Sequence, residues 1–241
     1  MITLERQSVL SSEISEVHSQ DDLFASLRRV CHEFSLRHVT LLCVNNPDEE
    51  LLSRMVVNTT VPESYFAEFD RKRLLRNCSI GPVMQHSKLP FCWTIKDTLQ
   101  SRGFVIDPQI AELQERYGLL TSVVMTLFSL DAERFIMRFD GTRPRLTQVE
   151  LNELGMIMLH AFDMFEQVKR DARKAAPAPL TARELEVVRW TAQGKTSAEI
   201  GRILSLSDHT VNAYMTNAIK KLDCVNRTQL VAKALRLRLI A

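Results

Sequence analysis

Short polar side chains between residues 207 and 221 have the spacing to line one face of a helix, while apolar residues recur on the opposite face. Amides and hydroxyls pair with base edges in the major groove of duplex DNA, and lysines bind its phosphates. The pattern therefore predicts a helix that packs on one side and contacts DNA on the other. Together with two residues that precede the helix, the candidate DNA-binding set is Lys195, Thr196, Ser207, His209, Thr210, Asn212, Ala213, Thr216, Asn217, Lys220 and Lys221.

Within this set, each residue type suits a particular contact. Asn212 can pair with an adenine edge, and Thr210 or Thr216 can hold a phosphate or a thymine methyl group. Lys220 and Lys221 can bind the phosphate backbone. The same periodicity also fits a small bundle of three or four helices whose polar face is only solvated. Periodicity by itself leaves both alternatives open.

The net charge of +2 hides an asymmetry along the chain. From Leu180 onward ten Lys and Arg residues stand against five Asp and Glu, whereas the rest of the chain has 21 against 24. A basic segment gains free energy when it displaces the counterions of a polyanion. The asymmetry favours double-stranded DNA as the partner of the C-terminal segment.

The same segment carries the start signals of successive short helices. The stretches T-A-R-E from Thr181 and T-S-A-E from Thr196 are capping-box patterns, which mark the starts of a first and a second helix. A tight turn, S-L-S, then precedes a third helix over 208–222, which Ser207 can cap, and a fourth follows at about 227–239. The arrangement predicts an all-α unit of four helices.

This segment closely resembles the helix-turn-helix domain of LuxR-type transcriptional regulators. The matching pieces are L-T-x-R-E, G-K-T-x-x-E-I, L-S-x-x-T-V, K-L and N-R-T-Q, spread over about a quarter of the chain. The resemblance implies a helix-turn-helix over about 198–217, with 208–222 as its recognition helix. Asn212 and Tyr214 stand where the family often has Lys or Arg and His, so we expect a different operator.

The first 170 residues read as a mixed domain. Helical periodicity appears at about 4–18, 21–36, 63–76, 108–117 and 147–172, and HVTLLCVN, SRMVVNTT, SVVMTLFS and ERFIMRF read as strands. Neighbouring strands lie too close in sequence for crossover helices, which favours an antiparallel sheet. The predicted class is α+β, an N-terminal α/β/α sandwich with an antiparallel sheet followed by an all-α four-helix helix-turn-helix domain.

These patterns predict a sensor and dimerisation domain over 1–172, a Pro-containing linker over 173–179 and a DNA-binding domain over 180–241. A phosphoreceiver is disfavoured for the first domain, because Asp21 and Asp22 stand at a helix start and not at the end of a strand. The order of elements instead resembles the acyl-homoserine-lactone-binding domain of quorum-sensing LuxR proteins, with VPESYFAEF, IGPV, PFCW and YGLLTSVVM as landmarks.

The second resemblance implies a ligand pocket. Trp93 matches a Trp that packs on the ligand, and Tyr65 and Phe69 fall where the family has the Trp and the Tyr that hold its carbonyl groups. The family's Asp, which accepts the amide N–H, falls on Cys78 or, in a second register, on Gly81. A ligand amide without its acceptor costs about 1 to 3 kcal/mol.

We therefore expect a regulator with a degenerate signal pocket, similar to an orphan LuxR-type protein or to the motility regulators VisN and VisR. A receptor for an acyl-homoserine lactone or another small-molecule effector is the alternative. In a third interpretation Tyr65, Phe69 and Trp93 simply fill a core.

Nothing in the sequence indicates catalysis, a metal site or a cofactor. The five cysteines lack a CxxC pair, and His32, His38 and His86 share no ligand spacing. No stretch reaches the roughly 20 apolar residues of a membrane span, and the N-terminus has no secretion signal. We expect a cytoplasmic protein that is not an enzyme and has no membrane contact.

A long helix predicted over 146–168 has a wide apolar side. Its stripe consists of Leu151, Leu154, Met158, Ala161, Phe162, Phe165 and Val168. We expect part of this stripe to cover the sheet and the rest to meet a partner helix. One helix-turn-helix also buries too little of the groove for tight specific binding, so we expect a homodimer or a heterodimer with a related LuxR-type subunit.

Overall fold

The computed structural model describes residues 3–46, 48–78, 81, 84, 87–95, 105–175, 180–237, 239 and 240. The chain divides into two compact units, Met1–Asp171 and Ala172–Ala241. Each unit has its own apolar core. In the part of the chain that the structure describes, no helix is both long enough and apolar enough to span a membrane. A cytoplasmic location stays a prediction.

The first unit is built on a five-stranded sheet with every neighbouring pair antiparallel, as predicted. The strands are β1 (His38–Cys43), β2 (Val56–Thr59), β3 (Phe91–Thr94), β4 (Thr121–Phe128) and β5 (Arg134–Gly141). Their order in the sheet is β2-β1-β5-β4-β3. Because side chains alternate along a strand, Phe135, Met137 and Phe139 of β5 enter one core while Ile136 and Arg138 face the other side of the sheet.

Helices cover both faces of this sheet. The first face packs against α1 (Thr3–Ser15), α2 (Gln20–Glu33) and α6 (Gln148–Ala175). The second face packs against α4 (Glu63–Arg71) and α5 (Pro108–Arg116), with the short helix α3 (Leu52–Met55) and a 3₁₀ turn (Leu74–Asn77) beside them. The α/β/α sandwich is therefore confirmed.

Several predicted boundaries in this unit are wrong for identifiable reasons. The predicted strand SRMVVNTT begins as helix α3, because the Asp70 carboxylate accepts hydrogen bonds from the N–H groups of Leu52 (2.6 Å) and Ser53 (3.1 Å) and caps a helix there. The helix predicted over 63–76 ends at Arg71, because Arg73 adopts a left-handed backbone with φ of +52°. Strand β3 was not predicted at all.

Most of the apolar stripe on α6 covers the sheet, as predicted for part of it. Its seven residues all contribute to the core of their own unit, where Leu151 and Val168 are half-buried and the others are buried. Only Leu151 and Val168 keep part of the stripe exposed, and their contact with a partner helix stays a prediction. The exposed apolar residues of α6 are Val149, Met156 and Leu159, which share a different side of the helix. The helix also runs on through 173–175 of the predicted linker, and residues 176–179 lie outside the described part.

Over its described residues from 180 onward, the second unit has four helices, α7 (Ala182–Ala192), α8 (Ser197–Leu204), α9 (Asp208–Lys221) and α10 (Arg227–Arg236). Both predicted capping boxes form, at Thr181 with Glu184 and at Thr196 with Glu199. The unit closes on a core that includes Val187, Val188, Ile200, Val211 and Leu230.

Candidate functional site

The turn between α8 and α9 sets the direction in which α9 leaves α8. Ser205 adopts a left-handed backbone with φ of +56°, and the N–H of Leu206 donates to the Gly201 carbonyl at 2.8 Å. A Cβ atom on Gly201 would lie only 2.7 Å from the Leu206 carbonyl oxygen. A glycine is therefore required for the turn to close this tightly against α8.

Helix α9 has one buried and one exposed face. Val211, Met215 and Ala218 are buried in the core of the second unit. Two of the eleven candidate DNA-binding residues, Lys195 and Thr210, are half-buried. The other candidates are exposed, and they are Thr196, Ser207, His209, Asn212, Ala213, Thr216, Asn217, Lys220 and Lys221. Helix α9 therefore exposes short amide and hydroxyl groups on one face and packs into the core with the other.

The start of α8 lies against the exposed face of α9. The Ser197 hydroxyl donates to Asn212 Oδ1 at 2.7 Å, which restrains the amide of the residue best suited to read an adenine. Sequence reasoning missed Ser197, because its relation to Asn212 depends on how the turn folds. The Arg227 guanidinium donates to the carbonyl of Lys195 and so ties α10 to the same region.

Ser207 and Thr210 have a local role at the start of α9. The Ser207 hydroxyl accepts from the Thr210 N–H at 3.1 Å, and the two hydroxyls lie 2.8 Å apart. Ser207 therefore caps the helix as the sequence indicated. Its capping geometry leaves the first turn of α9 well fixed.

Lys221 has a structural partner that the sequence did not suggest. Its ammonium group donates to Glu184 Oε2 at 2.8 Å, and the Glu184 side chain is only 4% exposed. Burial raises the pKa of Glu184, but hydrogen bonds from Lys221 and Thr181 outweigh that effect, and the net pKa is lowered. The pair links the start of α7 to the end of α9. Lys220 is exposed, as Lys221 is.

A second candidate site lies in the first unit, where a cavity of about 650 Å³ opens between the sheet and the helices α3 to α5. Phe69 and Trp93 line this cavity. Tyr65 does not line it and faces a separate niche of about 30 Å³. The structure thus brings two of the three predicted pocket aromatics to the cavity and separates the third.

Neither position expected for the family's ligand-binding Asp supplies a carboxylate. Cys78 and Gly81 both line the cavity. Other polar groups there include Gln114 and Thr126, whose hydroxyl donates to the Met84 carbonyl at 3.0 Å. The polar contacts available to a ligand therefore differ from those that the lactone-receptor resemblance implies.

Sequence reasoning missed a buried ion pair on the same face of the sheet. Arg138 Nε donates to Asp140 Oδ1 at 2.7 Å, and the Ser122 hydroxyl donates to the same oxygen at 2.6 Å. Burial lowers the pKa of Arg138, but the charge and the hydrogen bond of Asp140 together with neighbouring groups outweigh burial, so the net pKa is raised and the guanidinium stays charged. Arg138 lines both the cavity and the niche, and its guanidinium lies 5.9 Å from the centre of the Trp93 ring.

Comparison with known proteins agrees with both units. The family described as "Bacterial regulatory proteins, luxR family" matches residues 178–234. The quorum sensing-dependent transcriptional regulator VjbR of Brucella abortus is 30% identical over 92% of this chain and 89% of its own length. This chain belongs to the LuxR family.

Further relatives extend the match. RpaR of Rhodopseudomonas palustris, a quorum sensing-dependent transcriptional regulator, is 31% identical over 67% of each chain. A crystal structure of Escherichia coli SdiA has the same fold, with a TM-score of 0.69, 23% identity and coverage of 99% of both chains. The protein is therefore a LuxR-type transcriptional regulator with an autoinducer-binding-like first unit and a helix-turn-helix second unit. The finer resemblance to VisN and VisR stays a prediction.

Proposed function

We propose that this LuxR-type regulator reads specific duplex DNA by laying the exposed face of α9 in the major groove. The observation that carries the proposal is the division of α9 into a fully packed apolar face and an outward face of amides, hydroxyls and lysines. Amides and hydroxyls of this length reach base edges when a helix lies in the groove. The hydrogen bond from Ser197 further restricts the Asn212 amide before DNA is bound.

The protein acts as a dimer in this proposal. One module buries too little groove for tight specific binding, whereas two modules read half-sites about one helical turn apart. The exposed apolar residues Val149, Met156 and Leu159 of α6 offer one surface for a second copy or a related LuxR-type subunit. Sedimentation of the intact protein on operator DNA tests this step, with two chains per site expected and one chain per site contradicting it.

Sequence-specific DNA binding is tested by selecting fragments of genomic DNA with the intact protein and measuring their binding by gel shift. We expect a small set of fragments to bind at physiological salt. The triple variant Asn212→Ala, Thr216→Ala, Asn217→Ala should lose discrimination among them, because it removes amide and hydroxyl groups from the α9 face. Thr228→Ala, an exposed change on α10, is the matched control. If the triple variant selects the same fragments as the parent, the α9 face does not read the sequence.

A second function, reception of a small molecule, is favoured by the cavity of the first unit. Its volume of about 650 Å³ lies within the range of small-molecule sites, which is roughly 300 to 1,000 Å³. RpaR and VjbR are named as quorum sensing-dependent, and one SdiA structure holds octanoyl-rac-glycerol. The absence of a carboxylate at Cys78 and Gly81 argues against an ordinary lactone signal.

Gel shifts in the presence of added compounds separate the two interpretations of the cavity. An organic extract of the native host should change the affinity for the selected fragments, whereas N-octanoyl-homoserine lactone should not. An equal response to the lactone would show that the pocket is not degenerate. If neither addition changes DNA binding, the regulator acts without ligand dependence, which was the leading interpretation of the sequence.

A further inference from the structure

Four residues form the middle of the exposed face of α9, between His209 at one end and Lys220 at the other. This central set is exposed to solvent and consists of Asn212, Ala213, Thr216 and Asn217. It covers about 7 to 8 Å of helix axis, and base pairs are stacked about 3.4 Å apart. When α9 lies in the major groove, the central set therefore faces roughly two or three adjacent base pairs.

The side chains of the central set suit A·T pairs better than G·C pairs. An asparagine amide pairs with the N6 amino group and the N7 atom of adenine, and the methyl groups of alanine and threonine pack on the thymine methyl group. Guanine is read mainly by arginine or lysine, and cytosine by a carboxylate. From His209 through Asn217 the sequence has no Arg, Lys, Asp or Glu. The central set therefore lacks the charged groups that read guanine or cytosine.

A contact from α8 fixes which way the Asn212 amide points. The Ser197 hydroxyl donates to Asn212 Oδ1 at 2.7 Å, so the oxygen keeps one lone pair, and Nδ2 on the other side of the amide is left to donate to DNA. Adenine requires this arrangement, because its N6–H donates to the amide oxygen while its N7 accepts from Nδ2. Guanine presents two acceptors at the same positions, and an amide oxygen held toward them would be repelled.

The capping box at the start of α8 holds Ser197 in place for this contact. The Thr196 hydroxyl accepts from the Glu199 N–H at 3.3 Å, and Glu199 Oε2 accepts from the Thr196 N–H at 2.8 Å. The bond from the Thr196 N–H is the main cause that lowers the pKa of Glu199, so this carboxylate is charged at neutral pH. Ser197 follows as the first residue of α8, and the turn that closes on Gly201 holds α8 against α9. The hydroxyl and the amide are thus positioned before DNA binds.

We infer that Ser197 and the central set specify a run of A·T pairs in the middle of each operator half-site, with adenine opposite Asn212. Thymine methyl groups of the neighbouring pairs pack against Ala213 and Thr216. The pairs on either side of this run lie under the two ends of the exposed face and can be of either kind. The inference rests on the proposed function, because it requires α9 to lie in the major groove.

Selection from duplexes with randomised half-sites tests the inference with the intact protein. We expect A·T pairs to be returned about tenfold more often than G·C pairs at roughly two or three adjacent positions in each half-site. If every position that the protein selects is a G·C pair, the inference is overturned and the proposed function stands. If all duplexes bind alike, the proposed function itself is contradicted, and the inference falls with it.

Single-atom changes in a selected duplex show which atoms α9 contacts. The adenine at which Asn212→Ala loses discrimination is replaced by 7-deazaadenine, which lacks N7, and a neighbouring thymine is replaced by uracil, which lacks the methyl group. Each replacement should weaken binding severalfold, because both groups lie in the major groove. The matched control is 3-deazaadenine, which lacks only the minor-groove N3 and should bind as adenine does. Equal losses for the two deaza bases would show that the preference does not come from the central set.

Two changes at Ser197 test its part in the choice of adenine. Ser197→Ala removes the hydroxyl and should reduce the preference for adenine over guanine opposite Asn212 severalfold. Ser197→Thr keeps a hydroxyl and is the matched control, so it should keep the preference of the parent. Both variants retain the residues of the capping box, Thr196 and Glu199, and should fold as the parent does. An unchanged preference in Ser197→Ala would overturn the role of Ser197.

Discussion

Each unit has one buried carboxylate that is held by a basic side chain. These two residues, Asp140 in the first unit and Glu184 in the second, differ in whether a buried carboxylate oxygen is left without a hydrogen bond. Glu184 receives Lys221 and the Thr181 N–H, and it has no buried oxygen left over. Asp140 receives Arg138 and Ser122 on one oxygen and keeps the other unpaired. The first arrangement joins two helices, whereas the second lies within the sheet, where Asp140 lines a niche of about 30 Å³.

The two units also differ in where their candidate binding residues lie. The second unit keeps its candidate contacts on the outside of α9, where a large polyanion can reach them. The first unit keeps its candidate contacts inside, where only a small molecule fits. Two kinds of partner thus correspond to two placements of polar groups, and single substitutions in each unit test that contrast.

Asp140→Ala should lower the free energy of unfolding of the first unit by about 3 to 5 kcal/mol, because it leaves Arg138, whose side chain is only 16% exposed, without its counter-charge. Urea unfolding followed by Trp93 fluorescence in a Trp190→Phe background measures this effect, since the chain has one Trp in each unit. The double change Asp140→Leu, Arg138→Met is the control and should recover most of the loss. A stability equal to the parent's in the single variant would mean that the pair is not buried as described.

Asn212→Ala should relax discrimination at one base pair by about 1 to 3 kcal/mol. The reason is that its amide supplies both the donor and the acceptor that a bidentate contact with one base requires. Affinities for a set of single-base operator variants measure the change. Ser197→Ala, which removes only the restraint on that amide, should have a smaller effect at the same base pair. An effect spread evenly over all positions would point to a phosphate contact instead.

Glu184→Gln should lower the free energy of unfolding of the second unit by about 1 to 2 kcal/mol at pH 7. The folded-state pKa of Glu184 is lowered, so its contribution is fully present above the unfolded value of about 4.3 and is lost as pH falls through the folded value. Unfolding of parent and variant at pH 7 and at pH 3, followed by Trp190 fluorescence in a Trp93→Phe background, measures this difference. The two proteins should converge at the lower pH. A constant difference would mean that Glu184 does not act as a charged group.

Lys220→Ala should reduce the salt dependence of DNA binding by roughly one unit of log–log slope, as expected for one phosphate contact. Lys221→Ala should change the slope less and the stability more, because its ammonium group holds Glu184. The DNA affinity of both variants, measured at roughly four salt concentrations between 50 and 200 mM, distinguishes the two effects. Equal slopes for the two variants would show that Lys221 leaves Glu184 to bind DNA.

The second unit could be predicted closely because its signals are local. Capping boxes at Thr181 and Thr196 and the serine cap at Ser207 each depend on neighbours three residues away, and all three form. The pairing of Lys221 with Glu184 could not be read in this way, since 37 residues separate the two. It depends on how α7 and α9 pack.

The cavity of the first unit was harder to predict. Arg138 and Asp140 sit in the stretch ERFIMRFDG, whose apolar alternation indicates a strand but not which strand lies beside it. Ser122 meets them only because β4 and β5 pair in one particular register. Strand β3, four residues long, is too short for periodicity to reveal, although it brings Trp93 to the cavity.

Methylation interference on a fragment selected by the intact protein shows whether α9 lies in the major groove. Guanine N7 lies in the major groove, so a methyl group there blocks a helix that occupies that groove. The account predicts two clusters of interfering guanines about one helical turn apart, and loss of the interference pattern in the α9 triple variant. Interference confined to minor-groove adenines, or the absence of interference on every bound fragment, would contradict it.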